Sequence, residues 1–224
     1  MNRGDSAWVL VLACLSLFLV FPAPREAFVS LTVRHGVLMG FVNFAVLSTM
    51  GELLSLRIQF GRWIRPAAFP VKVLLWGLFG MAVSVVFGFC SIGAGGAMAA
   101  GLLPGPAGGF FKTLLEAFYT SFFVNAVAGP ALQGAQRLLD TLVDRLACRR
   151  KPAGILAAVE AVDWVDFIKF AVLKTIPFFW VPVNTLVFLM PPEYRVVVAA
   201  YLSIFLGAFL ACVNKAGHSG GDGK

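Results

Sequence analysis

Two long apolar runs near the carboxyl end constrain the fold of this chain most strongly. They occupy residues 168–190 and 196–213, and only residues 191–195 separate them. Each run is close to the roughly 20 residues that an α-helix needs to cross a bilayer, and a helix satisfies its own backbone hydrogen bonds there. The connection is too short to hold a domain. The pattern therefore predicts two antiparallel transmembrane helices.

The composition extends this prediction to the whole chain. Of its 224 residues, 59% are hydrophobic and 13% are charged, which leaves too few polar side chains to cover a soluble globule. We predict a single integral membrane domain, residues 1–224, with an all-α fold: a polytopic transmembrane helix bundle. Its six predicted spans are residues 7–22, 36–56, 73–103, 110–132, 168–190 and 196–213.

The first apolar run is short for a span and follows Arg3 and Asp5, so a cleaved signal peptide is the alternative. The residues around Ala23 and Ala27 do not place a small side chain three positions before a cleavage point. We therefore expect a retained signal-anchor helix.

A seventh helix, at residues 134–150, has a different character. Leucine and valine recur there at helical spacing against arginine and aspartate, which is typical of an amphipathic helix lying at the membrane interface. It ends in the basic cluster Arg149, Arg150 and Lys151, and such a cluster attracts anionic lipid head groups. Membrane lipids are thus one predicted partner.

The basic residues predict the orientation. Six spans place four basic residues on one side of the membrane. The other side has thirteen: Arg3, Arg57, Arg62, Arg65, Lys72, Arg137, Arg145, Arg149, Arg150, Lys151, Lys169, Lys215 and Lys224. Cytoplasmic loops carry the excess of lysine and arginine, so both termini are predicted to be cytoplasmic. The amino terminus lacks the Arg- and Ser-rich, acid-free pattern of an organelle presequence, which favours a bacterial inner membrane.

Several function classes are disfavoured. The net charge of +7 is explained by orientation, and no basic face interleaved with aromatic residues indicates nucleic-acid binding. The four cysteines and two histidines are scattered, so neither a metal site nor a disulfide framework is indicated. No nucleophile with a base and no phosphate-binding glycine loop is visible, so we predict neither an enzyme nor a cofactor.

Polar residues inside the predicted spans are the candidates for function. An ionisable group costs about 2.5 to 3.5 kcal/mol at a helix centre and usually faces a partner or a water-filled cavity. We predict a polar path lined by Glu52, Glu116, Asn125, Lys174 and Asn184. Glu116 would lie near the outer end of this path and Lys174 near the cytoplasmic end.

Simpler readings of these charges stay open. Glu52 and Lys174 are close enough to span ends for their side chains to extend to the interface. Glu116 lies four residues after Lys112, so a local ion pair is its alternative. The prolines at 177 and 182 favour the path, because each removes a helical hydrogen bond and leaves a carbonyl that must be satisfied elsewhere.

Small residues crowd the third predicted span from Gly88 to Gly101. Small side chains let helix backbones approach closely, so this segment is predicted to be a helix-packing surface. A dinucleotide-binding glycine pattern is not matched, because the third glycine and the surrounding strands are missing.

The fifth span and its exit carry a recognisable series of residues: Trp180, Pro182, Asn184, Phe188, Pro192 and Arg195. This series resembles the signature of the family of small peroxisomal and mitochondrial inner-membrane proteins that includes the twenty-two-kilodalton peroxisomal membrane protein. Gly51-Glu52 is similar to that family's Gly-Asp, and Lys112 with Glu116 to its lysine-to-aspartate spacing. The glutamines and the central motif of the family are absent here, and the family usually has four spans.

The resemblance implies an all-helical, pore-forming or metabolite-conducting protein. Together with the polar residues, it leads us to predict a channel or passive transporter for small solutes or ions. The alternative is a structural or scaffold membrane protein that binds lipid or a partner through its amphipathic segment. A homo-oligomer is compatible with either.

Overall fold

A computed structural model describes residues 3–151 and 154–219, and the side chains of residues 210 and 213–219 lie outside the described part. Lys224 and the side chain of Lys215, both used for the orientation, are therefore outside it. The described residues form helices and no strand. These helices are α1 (Arg3–Val20), α2 (Pro22–Arg34), α3 (Gly36–Phe60), α4 (Phe69–Ala99), α5 (residues 110–147), α6 (Ile155–Ala161), α7 (Trp164–Phe188) and α8 (Pro192–Ser219).

Among the described residues, five helices are long and apolar enough to cross a membrane: α1, α3, α4, α7 and the first part of α8. The prediction of an all-helical chain with membrane-length helices is thereby confirmed. Helix α4 ends at Ala99, four residues before the predicted end of the third span. The reason is Gly101, which adopts a φ of +73° after the helix, a conformation that glycine takes without strain.

Helix α5 corrects two predicted boundaries. The pattern predicts a span at 110–132 and a separate interfacial helix at 134–150, but the structure has one helix over 110–147. Its centre, Phe123–Ala128, is π-helical, and Pro130 lies in the turn that follows. A π segment widens the helix, so the proline ring is accommodated while the helix continues.

Helices α3 and α4 pack through glycines that lie outside the predicted packing surface. A Cβ on Gly80 would collide with the carbonyl oxygen of Gly40 and would lie 2.6 Å from the Cβ of Phe44. Gly77 lies against the ring of Phe41 in the same way. The two backbones are thus in direct contact, as small residues permit in membrane helices.

The predicted packing surface at residues 88–101 is correct only in part. Ala94 is buried and Gly95 contacts Glu116, but a Cβ on Gly88, Gly93 or Gly96 would meet nothing within 4 Å. The small residues that bring helices together, Gly77 and Gly80, lie about two to three turns before Gly88 in α4.

The two arms of the predicted hairpin also behave differently from expectation. Helices α7 and α8 contact each other mainly near the turn between them, whereas α7 packs on α5 and α8 packs on α3. The turn therefore connects two parts of one bundle and does not close an independent unit.

Helix α1 is joined to the bundle by polar contacts along its length. The Arg57 guanidinium on α3 donates to both carboxylate oxygens of Asp5, at 2.9 and 3.3 Å, and the indole of Trp63 donates to the same carboxylate at 2.9 Å. Further along, the hydroxyls of Ser16 and Tyr201 lie 3.0 Å apart. The first predicted span is thus packed against α3 and α8.

The glycine contact between α3 and α4 generates a first prediction. Replacing Gly80 by alanine forces the two helices apart, and overpacking of this kind costs about 1 to 3 kcal/mol. Thermal unfolding of the detergent-purified protein should show a lower midpoint for Gly80→Ala. Gly88→Ala is the matched control on the same helix, since its Cβ meets nothing within 4 Å. Equal midpoints for the two variants would contradict this packing.

Candidate functional site

Helix α5 carries a line of buried polar side chains. Thr120 and Ser121 are almost completely inaccessible to solvent, and Asn125 follows one turn later with 5% exposure. The Ser121 hydroxyl donates to the carbonyl of Val181 on α7 at 2.7 Å. The Thr120 hydroxyl instead donates to the Glu116 carbonyl of its own helix at 2.7 Å. Ser121 therefore links α5 to α7.

Two of the predicted path residues meet on this face. The Asn184 amide on α7 donates to the side-chain oxygen of Asn125 at 3.1 Å, and the Asn125 amide donates to the carbonyl of Ser121 at 2.8 Å. Asn184 is 3% exposed, and its own side-chain oxygen has no partner among the described residues. The pair thus leaves one free acceptor in the middle of the bundle.

The backbone around the asparagine pair is unusual on both helices. Asn125 lies in the π segment of α5, and Asn184 follows the long π segment Phe167–Trp180 of α7; these two segments contact each other. Pro177 lies inside the second segment and Pro182 just after it. π segments are rare and occur frequently at functional sites.

A charged cluster joins α3, α4 and α5 at one end of this line. Lys72 is 6% exposed, and its ammonium lies 3.2 Å from an oxygen of Glu52, 3.1 Å from Asp144 and 4.0 Å from Asp140. The second oxygen of Glu52 accepts a hydrogen bond from the Trp76 indole at 2.9 Å. Glu52 was a predicted path residue, whereas Lys72 was predicted only as a basic residue of a loop.

A sequence signal for Lys72 was available. It stands at the start of a membrane-length apolar run, one turn before Trp76, and Asp140 and Asp144 have the i, i+4 spacing of one helix face. Because 134–150 was predicted to be a solvated interfacial helix, Asp140 and Asp144 were both expected to face water. The continuous helix instead brings them to the lysine.

Burial raises the pKa of the Asp140 carboxyl from 3.8 to about 6. The Lys72 ammonium opposes this rise, while Glu52 and Asp144 add to it. Three carboxylates share one ammonium, and Asp140 lies farthest from it. Asp140 therefore keeps its proton to a higher pH in the folded protein than a free aspartate does.

Glu116 and Arg195 lie near each other at the opposite end of the line. The Glu116 carboxylate packs over Gly95, where a Cβ would lie 2.9 Å from its oxygen, and its charge acts on the Arg195 guanidinium. The predicted alternative, an ion pair with Lys112, is not formed among the described ion pairs. Glu116 turns inward and Lys112 is exposed.

The residues that carry the family resemblance are only partly brought together. The Arg195 guanidinium lies 5.4 Å above the ring of Phe188, which is buried, and Pro192 begins α8. Asn184 belongs to the asparagine pair described above. Pro182 is exposed, and Trp180 is half-buried against Phe179.

Lys174 does not join the other four predicted path residues. Its side chain is exposed and lines a groove of about 280 Å³ between α7 and α8, with Phe170, Phe205 and Phe209. The basic cluster Arg149, Arg150 and Lys151 is exposed just beyond the end of α5.

The polar groups on α5 span a membrane-sized distance. At 1.5 Å per residue, Glu116 and Asp144 are about 40 Å apart along the helix, compared with about 30 Å for the hydrocarbon core of a bilayer. The asparagine pair lies between them. One charged cluster therefore stands at each end of the line, and a neutral amide pair lies about a third of the way from Glu116 to Asp144.

Comparison with known protein families, with curated proteins and with solved structures finds no match to this chain. The fold itself defines the class: an all-helical membrane protein, in which five of the described helices are long and apolar enough to cross a bilayer.

The buried lysine generates a second prediction. Lys72→Met leaves Glu52 and Asp144 without their cation, and breaking a buried ion pair on one side costs about 3 kcal/mol. Its unfolding midpoint should fall clearly below that of Lys174→Met, which removes an exposed lysine. Adding Glu52→Gln to Lys72→Met should recover part of the loss. A midpoint for Lys72→Met equal to that of the wild type would refute this role for the cluster.

A third prediction concerns pH. Because folding raises the pKa of Asp140, its contribution to stability is fully present below about pH 4 and is lost as the pH rises through about 6. Asp140→Asn removes this loss. The unfolding midpoint of the variant, minus that of the wild type, should therefore increase between pH 4 and pH 7. A difference that stays constant across this range would contradict the buried position of Asp140.

Proposed function

We propose that this chain is a channel or passive transporter that conducts a small solute or ion along the polar face of α5. The single observation that carries the proposal is the line of inward-facing polar groups from Glu116 to Asp144. A protein that only anchored or packed would not need it, because polar groups in a bilayer are costly and usually mark a solute pathway.

The charged ends of the line and the asparagine pair between them suit different steps of conduction. Glu116 with Arg195, and Lys72 with its three carboxylates, would each attract a polar species from water. The asparagine pair presents an amide N–H and an unpartnered carbonyl oxygen between the two charged ends. These neutral groups can take over the hydrogen bonds that a small solute loses on leaving water.

The family resemblance supports the same class of activity, since it implies a pore-forming or metabolite-conducting protein. In this proposal Glu52, Glu116, Asn125 and Asn184 belong to the path, whereas Lys174 does not. Lys72, Asp140, Asp144 and Arg195 are added to it.

Flux through reconstituted protein tests the proposal. Liposomes with wild-type protein should pass K⁺ or glycerol faster than empty liposomes in stopped-flow measurements, and Asn125→Leu should lower the faster of these two fluxes at least tenfold, because it removes the central amide. Lys174→Met is the control and should conduct like the wild type. Flux equal to that of empty liposomes, or undiminished flux in Asn125→Leu, would refute the proposal.

A six-span topology accompanies the proposed function. The part of α5 that begins at Phe110 supplies the sixth span, although it is less apolar than the five others. Its polar residues lower its mean hydropathy. They can be accommodated in a span because they face α4 and α7 and not lipid. With the positive-inside rule, both termini then lie in the cytoplasm of a bacterial inner membrane.

Thiol labelling tests this orientation. Cys148, exposed at the end of α5, should stay protected from an impermeant maleimide in intact cells and react in inverted vesicles. In a variant without native cysteines, Gly108→Cys, in the exposed loop between α4 and α5, should react in intact cells. The opposite pattern would invert the topology.

The alternative, a scaffold role, is favoured by one observation: the exposed cluster Arg149, Arg150 and Lys151 follows the end of α5 directly. In the proposed orientation this cluster faces the cytoplasmic leaflet, whose anionic lipids attract basic side chains.

A further inference from the structure

A half-enclosed groove of about 560 Å³ lies outside the polar face of α5. It runs between the junction of α2 with α3, the later part of α4, and the first turn of α8. Val33, Val37, Phe87 and Ile92 contribute apolar walls. Its volume lies in the range of ordinary small-molecule sites.

The hydroxyl groups in the wall of the groove are largely occupied. Thr32 donates to the carbonyl of Phe28 at 2.8 Å, and Ser84 donates to the carbonyl of Gly80 at 2.9 Å. These bonds stay within each hydroxyl's own helix. The wall along α4 is therefore effectively apolar, and a ligand finds charge only where α8 begins.

Two opposite charges line that end of the groove. The Arg195 guanidinium donates to the Met190 carbonyl at 3.0 Å and to the Ser91 hydroxyl at 3.3 Å, and its remaining nitrogen bonds no described residue. Glu193 also lines the groove. Neither side chain is part of an ion pair among the described residues. An arginine in this state is a good partner for a phosphate group.

The dimensions match one leaflet of a membrane. Arg195 and Glu193 are in the first turn of α8, where a candidate span begins, so they stand at the level of lipid head groups. From Ile92 back to Ser84 the groove follows α4 for about 12 Å. One leaflet of hydrocarbon is about 15 Å thick.

We propose that this groove binds one phospholipid with a zwitterionic head group, its phosphate on Arg195, its amine beside Glu193 and an acyl chain along α4. The paired opposite charges at one end select a head group that carries both signs. The apolar wall selects a chain. This site shares Arg195 with the outer end of the proposed path, but its wall is the later part of α4, far along that helix from the Lys72 cluster. Lipid binding tests the site and solute flux tests the path, so each can fail without the other.

The test uses native mass spectrometry of the full-length, detergent-solubilised protein titrated with phosphatidylethanolamine. Arg195→Met and Gly88→Leu should each weaken binding of the first lipid at least tenfold, the former by removing the cation and the latter by filling the groove. Gly93→Leu is the matched control and should bind like the wild type. Gly93 is on the same helix and has equally open space around it, but it does not line the groove.

Two further variants test the assignment of the head group. Glu193→Gln should weaken phosphatidylethanolamine binding at least threefold, and Arg195→Lys should retain most of the affinity. Equal affinity in the wild type, Arg195→Met and Gly88→Leu would overturn the site, as would an equal loss in Gly93→Leu. Unchanged or tighter binding in Glu193→Gln, together with a preference for phosphatidylglycerol, would overturn the zwitterionic assignment.

Discussion

The bundle depends on burying the polar face of α5. In a bilayer, an amide, hydroxyl or carboxylate turned to lipid costs several kcal/mol, so each such group on this helix needs a partner inside the bundle. Helix α7 provides a backbone carbonyl for Ser121 and an amide for Asn125, and α4 provides the ammonium of Lys72. The opposite face of α5 presents exposed phenylalanines. This division determines how α5 is oriented in the bundle.

Local departures from regular helix make that burial geometrically feasible. The π segments of α5 and α7 accommodate Pro130 and Pro177 and lie against each other where the two asparagines meet. On the other side of the bundle, the glycine contact at Gly40 and Gly80 brings α3 close to α4. Glu52 on α3 can then reach Lys72 on α4, which Asp144 of α5 also contacts. The cluster thus ties three helices together at one end of the polar line.

Much of the architecture was predictable from the sequence, because membrane-length apolar runs have few alternative structures. Composition and run length predicted the all-helical class and most helix positions. Polar residue type alone singled out Asn125 and Asn184 as candidates, but it did not predict the hydrogen bond between them. Contacts between helices were harder to predict. Lys72 was predicted to be a loop cation, because hydropathy places a charge at a span end but does not reveal which carboxylates surround it.

The errors in the predicted packing have a common physical cause. A run of small residues indicates that close approach is permitted, yet the partner helix decides which glycines are used. Gly93 and Gly96 remain open while Gly80 is in backbone contact. In the same way, an amphipathic pattern at 134–150 is equally typical of a helix facing water and of one facing polar neighbours. Only the continuity of α5 through its π segment distinguishes the two.

Cysteine accessibility along α5 tests the central claim most directly. In reconstituted protein, Ser121→Cys and Asn125→Cys should react with a small, water-soluble methanethiosulfonate reagent, because these positions lie on the proposed polar path. Phe118→Cys and Phe122→Cys, on the lipid-facing side of the same helix, should not react. Reaction at the phenylalanine positions alone, or at none of the four, would contradict a polar path along α5.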